Sequence, residues 1–145
     1  MNVRLATALV GGLSLVLGLA GLLYPERVLG LLGFMVQNAS HSAAALGEVR
    51  ATYGGLFTVI GVYTLLSAVD PPAHRARLLL LGLLWLGAFT GRLVGVFADG
   101  NPGLFGWLPA AFELVMGGTL VVASGSSEPA PAGAQPPATV EPTHP

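Results

Sequence analysis

The sequence contains no cysteine and no lysine, and only 9% of its 145 residues are charged. Without cysteine, disulfide bonds, thiolate nucleophiles and protein-ligated iron–sulfur clusters are excluded. The net charge of −1 and the lack of a basic cluster leave nucleic-acid binding without an electrostatic basis. His41 is too far from Glu48 for a helical metal pair. We therefore predict no nucleic-acid partner, no metal and no cofactor.

The scarcity of charge also decides the class of protein. Hydrophobic residues make up 53% of the chain, and its mean hydropathy is +0.74. Soluble domains carry about 25% charged residues, with which they cover their surface. A chain this poor in charge cannot build such a surface, and it belongs among membrane proteins of a single domain.

Four stretches of the sequence are long and apolar enough to cross a bilayer, which takes about 20 residues. We predict spans at about residues 5–23, 45–69, 78–97 and 104–123. The fold class is then all-α, a four-helix transmembrane bundle that occupies residues 1–123. Residues 124–145, rich in proline and alanine, are predicted to be a disordered tail.

The arginines predict the orientation in the membrane. Four spans place both termini and the loop after the second span on the same side of the membrane. That side carries three arginines, Arg4, Arg75 and Arg77, whereas the other side carries Arg27. Arginine-rich loops are retained in the cytoplasm, so we predict cytoplasmic termini. Arginine without lysine is typical of a bacterial genome of high GC content, and we predict a bacterial cytoplasmic membrane.

Glycine recurs every fourth residue in the third span, at Gly87, Gly91 and Gly95. Small residues at this spacing let helix backbones approach closely in lipid. Packing within one bundle is the simpler interpretation of this row. Homo-oligomerisation through the same three glycines is the alternative.

Two ionisable residues interrupt the spans, Arg92 in the third and Glu113 in the fourth. One unpaired charge at the centre of a membrane helix costs about 2.5–3.5 kcal/mol. We therefore expect both side chains to face the bundle interior. They should pair with each other or with the charges near the same end of the spans, which are Glu48, Arg50 and Asp99.

The segment "GEVRATYGG" opens the second span with charges on both sides of a helix. Glu48 and Arg50 are two residues apart, so they cannot face each other, and each needs a partner on another helix. The sequence thus predicts a polar chamber between helices. Its candidate acids and bases are Glu48, Asp99 and Glu113, and its candidate ligand-binding residues are Arg50, Tyr53 and Arg92.

Three functions fit such a chamber. The leading hypothesis is a small membrane protein that binds a lipophilic or lipid-like molecule at the polar site. One alternative is a membrane-embedded acid–base enzyme, an isomerase or cyclase of a terpenoid- or polyketide-like substrate. The other is a structural or accessory subunit, in which the charges only fix the register of the helices.

The polar positions also resemble a known family. The segments "EVRATYGG" (residues 48–55), "GR" (91–92) and "DGNP" (99–102) and the late Glu113 are similar to the pattern of small bacterial membrane proteins grouped as domain-of-unknown-function family 4345. The resemblance covers about residues 5–123 and implies a four-helix membrane fold but no activity. It marks as the family's polar set Glu48, Arg50, Tyr53, Arg92, Asp99 and Glu113.

Overall fold

The computed structural model describes residues 2–33 and 39–126, which are helices joined by short turns without any strand. The helices are α1 (Val3–Leu23), α2 (Pro25–Leu31), α3 (Ala39–Val49), α4 (Phe57–Val69), α5 (Arg75–Asp99) and α6 (Gly103–Gly125). A π-helical segment, Arg50–Leu56, joins α3 to α4, and a 3-10 turn, Pro72–His74, leads into α5. Helix α6 passes the predicted start of the tail, and the rest of that tail lies outside the described residues.

Four helical stretches are long and apolar enough to cross a membrane, namely Val3–Leu23, Ala43–Val69, Pro72–Asp99 and Gly103–Gly125. Large apolar side chains cover their outer surface, as in Leu9 at 62% and Val122 at 67% exposed. This surface suits lipid better than water. The predicted all-α, four-helix fold is confirmed, and it indicates a small multi-pass membrane protein.

The bundle consists of two closely packed helix pairs. Helix α1 lies along α4 and the π-helical segment, and α5 lies along α6, whereas α4 and α5 contact each other over a much smaller area. The turn after α5 is short because Gly100 and Gly103 adopt positive φ angles of 95° and 65°, which favour glycine. The two pairs leave cavities between them, and these cavities contain the candidate site.

Glycines make the close approach within each pair. A Cβ atom added to Gly61 of α4 would lie 2.5 Å from the backbone nitrogen of Leu15, and one added to Gly18 would lie 2.4 Å from that of Thr58. In the second pair, a Cβ on Gly117 would lie 2.9 Å from the carbonyl oxygen of Gly82. The helices pack backbone against backbone at these points.

The glycine row of α5 does not take part in this packing, so the simpler interpretation of it was wrong. Nothing lies within 4 Å of a Cβ atom added to Gly87 or Gly91, and one added to Gly95 would meet only Asp99 of the same helix. The α5–α6 contact uses Gly82 instead, while Gly91 and Gly95 border open spaces beside α5. Homo-oligomerisation through the row stays a prediction.

Substitution of Gly61 tests the close packing of α1 on α4. The change Gly61→Ala places a methyl group against the Leu15 backbone, and overpacking of this kind costs about 1–3 kcal/mol. We expect a lower thermal unfolding midpoint for the protein in detergent. The control is Gly118→Ala, because an added Cβ there meets nothing within 4 Å and alanine favours the helix. An equal loss in both variants would contradict this packing.

Candidate functional site

The π-helical segment Arg50–Leu56 presents the first polar group of the site. The segment contains two glycines, Gly54 and Gly55, and the backbone of α1 packs beside it, since a Cβ on Gly21 would lie 2.6 Å from the carbonyl carbon of Tyr53. π-helical turns are rare and are frequent at functional sites. The segment directs the Tyr53 side chain toward α5 and α6, where its hydroxyl oxygen lies 3.5 Å from Nη2 of Arg92.

An ion pair between α5 and α6 forms the centre of the site. Nε of Arg92 donates to both carboxylate oxygens of Glu113, at 2.9 Å to Oε1 and 2.8 Å to Oε2. The Glu113 side chain is 5% exposed and that of Arg92 is 26% exposed. The predicted pairing of these two residues is confirmed, and it fixes the register of α5 against α6.

The pair leaves part of the Arg92 guanidinium available. A guanidinium carries five N–H donors. The single Nε–H is shared by the two Glu113 oxygens, and Nη2 donates one long hydrogen bond to the Tyr53 hydroxyl. In the described part of the chain, Nη1 has no acceptor within hydrogen-bonding distance. Arg92 therefore keeps donors for an oxyanion or a hydroxyl group of a ligand.

Four aromatic side chains run from the ion pair into the core. The ring centroids of Tyr53 and Phe57 are 5.5 Å apart, those of Phe57 and Trp85 are 4.6 Å apart, and those of Trp85 and Phe112 are 5.4 Å apart. Edge-to-face and tilted contacts of this kind stabilise beyond the area they bury. The row connects α4 with α5 and α6, where direct helix contact is small.

Two cavities meet at the polar cluster. The larger, which we call the apolar cavity, has a volume of about 510 Å³ and lies between α1, α2 and α6. Its apolar lining comprises Leu13, Leu17, Ala20, Val28, Leu31, Leu32, Phe105, Leu108, Pro109 and Phe112. The second, the α4–α5 cleft, has a volume of about 340 Å³. Both are lined by Tyr53, Phe57, Arg92 and Glu113.

A third cavity, the rim cavity, opens at the turn between α5 and α6. It has a volume of about 390 Å³, and Arg92, Gly95, Asp99, Asn101 and Trp107 are among its lining residues. The Asn101 side-chain oxygen accepts hydrogen bonds from the Gly103 backbone nitrogen at 3.1 Å and from Nε1 of Trp107 at 3.0 Å. Arg92 thus lines the apolar cavity, the α4–α5 cleft and the rim cavity.

The remaining predicted site residues lie away from the ion pair. Glu48 is exposed and accepts a hydrogen bond from the Thr52 hydroxyl at 3.0 Å, one turn along its own helix. Arg50 is exposed and forms no ion pair with a described residue. The expectation that both find partners on other helices therefore fails for the described residues. Asp99 is exposed at the rim cavity.

Neither the aromatic row nor the π-helical segment was predicted from the sequence. Phe57 follows Tyr53 by four residues, which is the spacing of neighbours on one helix face. This spacing could have predicted the contact between the two rings. Trp85 and Phe112 meet Phe57 only through tertiary packing. No spacing rule predicts the π-helical turns.

Comparison with known proteins identifies the family. The model of the family described as "Domain of unknown function (DUF4345)" matches residues 3–124. The chain belongs to this family. No curated protein and no solved structure matches the chain. The family assignment agrees with the resemblance found in the polar motifs, and it carries no activity with it.

The chemistry of the cluster is that of a hydrogen-bonding site beside an apolar space. Arg92 supplies a positive charge and free donors, the Tyr53 hydroxyl can donate or accept, and the Glu113 carboxylate accepts. Among the described residues, no group of three or more histidine, aspartate or glutamate side chains is arranged to hold a metal ion. The arrangement suits a molecule with one polar end and a long apolar part.

Removal of one partner tests the ion pair. Loss of one member of a buried pair costs about 3–5 kcal/mol because the other charge stays buried without compensation. We expect Glu113→Gln to lower the thermal unfolding midpoint in detergent strongly. The double variant Arg92→Gln with Glu113→Gln has no uncompensated charge, so its unfolding midpoint should return most of the way to that of the unmodified chain. Equal losses in the single and double variants would show that the pair does not act as a unit.

Proposed function

We propose that this protein binds an amphipathic, lipid-like molecule within its helical bundle. The apolar part of the molecule occupies the apolar cavity, and its polar end is held by Arg92 and Tyr53. The single observation that carries the proposal is that the partly unsatisfied Arg92 guanidinium and the largely apolar cavity of about 510 Å³ adjoin each other.

The polar side of the proposal rests on the cost of buried charge. Replacement of a buried ion pair by apolar residues is often neutral or stabilising, so stability alone gives little reason to keep one. Arg92 and Glu113 lie in helices apolar enough to cross a membrane. A charged cluster in such helices is a functional-site hypothesis by default. The donors that Arg92 keeps supply the contact with the ligand.

The apolar side rests on the shape and lining of the cavity. Small-molecule sites have volumes of roughly 300–1,000 Å³ and are lined mainly by apolar and aromatic side chains with a few polar groups. The apolar cavity matches this description in its volume and its residues. Val28 and Leu31 of the short helix α2 line it on one side, and Leu31 is exposed, so the cavity is open at α2.

An acid–base enzyme is supported less well by the same geometry. The hypothesis groups Glu48, Asp99 and Glu113 as acids and bases, but only Glu113 lines the apolar cavity. Its carboxylate already accepts two hydrogen bonds from Arg92. A structural or accessory role accounts for the ion pair and leaves the unused Arg92 donors without a purpose.

Filling the apolar cavity tests the proposal. Ala20 of α1 lines this cavity, and Ala20→Leu adds three carbon atoms to it. The full chain, purified in a non-ionic detergent, would be titrated with 1-oleoyl-lysophosphatidylethanolamine. Native mass spectrometry would measure the fraction of protein with bound lipid and the number of lipid molecules bound. We expect one bound molecule for the unmodified chain and at least about tenfold weaker binding for Ala20→Leu, a loss of about 1.4 kcal/mol.

The matched control is Ala111→Leu, because Ala111 is exposed on α6 and is not part of the lining of the apolar cavity. This variant should bind the lysolipid like the unmodified chain. The double variant Arg92→Gln with Glu113→Gln removes the guanidinium without leaving a net charge, and it should bind at least about tenfold more weakly. Equal affinity in all four proteins would overturn the proposal.

A further inference from the structure

We propose that the rim cavity binds the headgroup of the same molecule, and that this headgroup is a zwitterion with a phosphate and an ammonium group. The phosphate lies at the Arg92 guanidinium, and the ammonium group lies between Asp99 and Trp107. This inference rests on the proposed function, because the apolar chain of the molecule occupies the apolar cavity. It adds the class of headgroup, which the ion pair alone does not determine.

The rim cavity and the apolar cavity are linked by one residue. Arg92 lines both, and together with Tyr53 and Glu113 it forms the polar part of the lining of the apolar cavity. From there the rim cavity leads along α5 to the turn at residues 100–102, where all three residues are exposed. A molecule whose chain lies in the apolar cavity therefore has its headgroup at Arg92 and a path for the rest of the headgroup toward the exterior.

One face of α5 carries both charges of the rim cavity. Arg92, Gly95 and Asp99 are spaced by three and four residues, so they are neighbours on one face of the helix. The Asp99 carboxylate turns back along α5, since its Oδ2 would lie 3.9 Å from a Cβ on Gly95. Gly95 has no side chain to fill the space between the two charges. The lining of the cavity therefore contains one basic and one acidic residue, about two turns of α5 apart.

The charge balance favours a zwitterion over an anion. Arg92 is already paired with Glu113, and Asp99 adds a further negative charge at the rim cavity. A molecule with only a phosphate would approach two carboxylates and a single guanidinium. A molecule that carries an ammonium group as well compensates the charge of Asp99. The phosphate still finds the donors on Arg92 that the described residues leave unused.

Trp107 supplies the second contact for the ammonium group. Trp107 lines the rim cavity, and its indole ring is held by the hydrogen bond from Nε1 to the Asn101 side-chain oxygen at 3.0 Å. Tryptophan is the aromatic side chain that attracts ammonium groups most strongly through its ring face. An alkylammonium group in this cavity can form an ion pair with the carboxylate and a cation–π contact with the indole ring.

A headgroup series tests the inference by native mass spectrometry of the full chain. Three ligands share one oleoyl chain: lysophosphatidylethanolamine, lysophosphatidic acid, which lacks the ammonium group, and monoolein, which lacks both charges. We expect lysophosphatidylethanolamine to bind about tenfold more tightly than lysophosphatidic acid or monoolein. An exposed ion pair and a cation–π contact together account for a difference in affinity of this size. Asp99→Asn should reduce this preference over lysophosphatidic acid to less than about threefold.

Two further variants separate the cavity from the charge. Gly95→Leu fills the rim cavity and should weaken binding of lysophosphatidylethanolamine but not of monoolein. The matched control is Gly87→Leu on the same helix, where an added side chain starts in open space. It should bind all three lipids like the unmodified chain. A Gly95→Leu variant that keeps the headgroup preference would overturn the assignment to the rim cavity.

The outcomes distinguish this inference from the proposed function. Equal binding of all three oleoyl lipids would overturn the headgroup assignment and leave the proposed function standing. No binding of any of them would overturn both. The water-soluble glycerophosphoethanolamine has the same headgroup without a chain and should not compete. If it competes at equal concentration, the headgroup assignment stands and the role of the apolar cavity fails.

Discussion

The ion pair between Arg92 and Glu113 is the interaction on which the site depends. It connects α5 and α6 within stretches that are apolar enough to cross a membrane. Neither charge can be left alone in such a setting, so the helices must meet where these two side chains meet. The asymmetric use of the guanidinium, with Nε bound to both carboxylate oxygens, keeps the Nη donors for other partners.

The surrounding packing serves to bring a third helix to this pair. Glycines let α1 approach the backbone of the π-helical segment, and this segment presents Tyr53 to Arg92. The aromatic row then extends from Tyr53 to α6 in place of extensive contact between α4 and α5. Because the two helix pairs touch lightly, cavities remain on both sides of the polar cluster.

The helices and the ion pair could be predicted from the sequence because both follow from solvation. Runs of apolar residues indicate spans. Arg92 and Glu113 interrupt two of these runs, and pairing avoids the free-energy cost of an unpaired charge in a membrane helix. The direction of the other groups could not be predicted in this way. Glu48 and Arg50 lie at the start of the second span, where a charged side chain can stay exposed. Because an exposed charge gains little free energy from an ion pair, neither side chain has to turn toward the bundle interior. The glycine row of α5 borders open space and takes no part in helix packing, and another glycine, Gly82, makes the contact with α6.

Distance measurement in lipid bilayers tests the central claim most directly. Solid-state NMR would measure the dipolar coupling between ¹⁵N-labelled Nε of Arg92 and the ¹³C-labelled side-chain carboxyl carbon of Glu113, with Glu48 as the internal comparison. The structure predicts a strong coupling to Glu113, consistent with Nε–O separations of 2.8 and 2.9 Å, and none to Glu48. The absence of a coupling to Glu113 in the folded protein would contradict the ion pair and the site built around it.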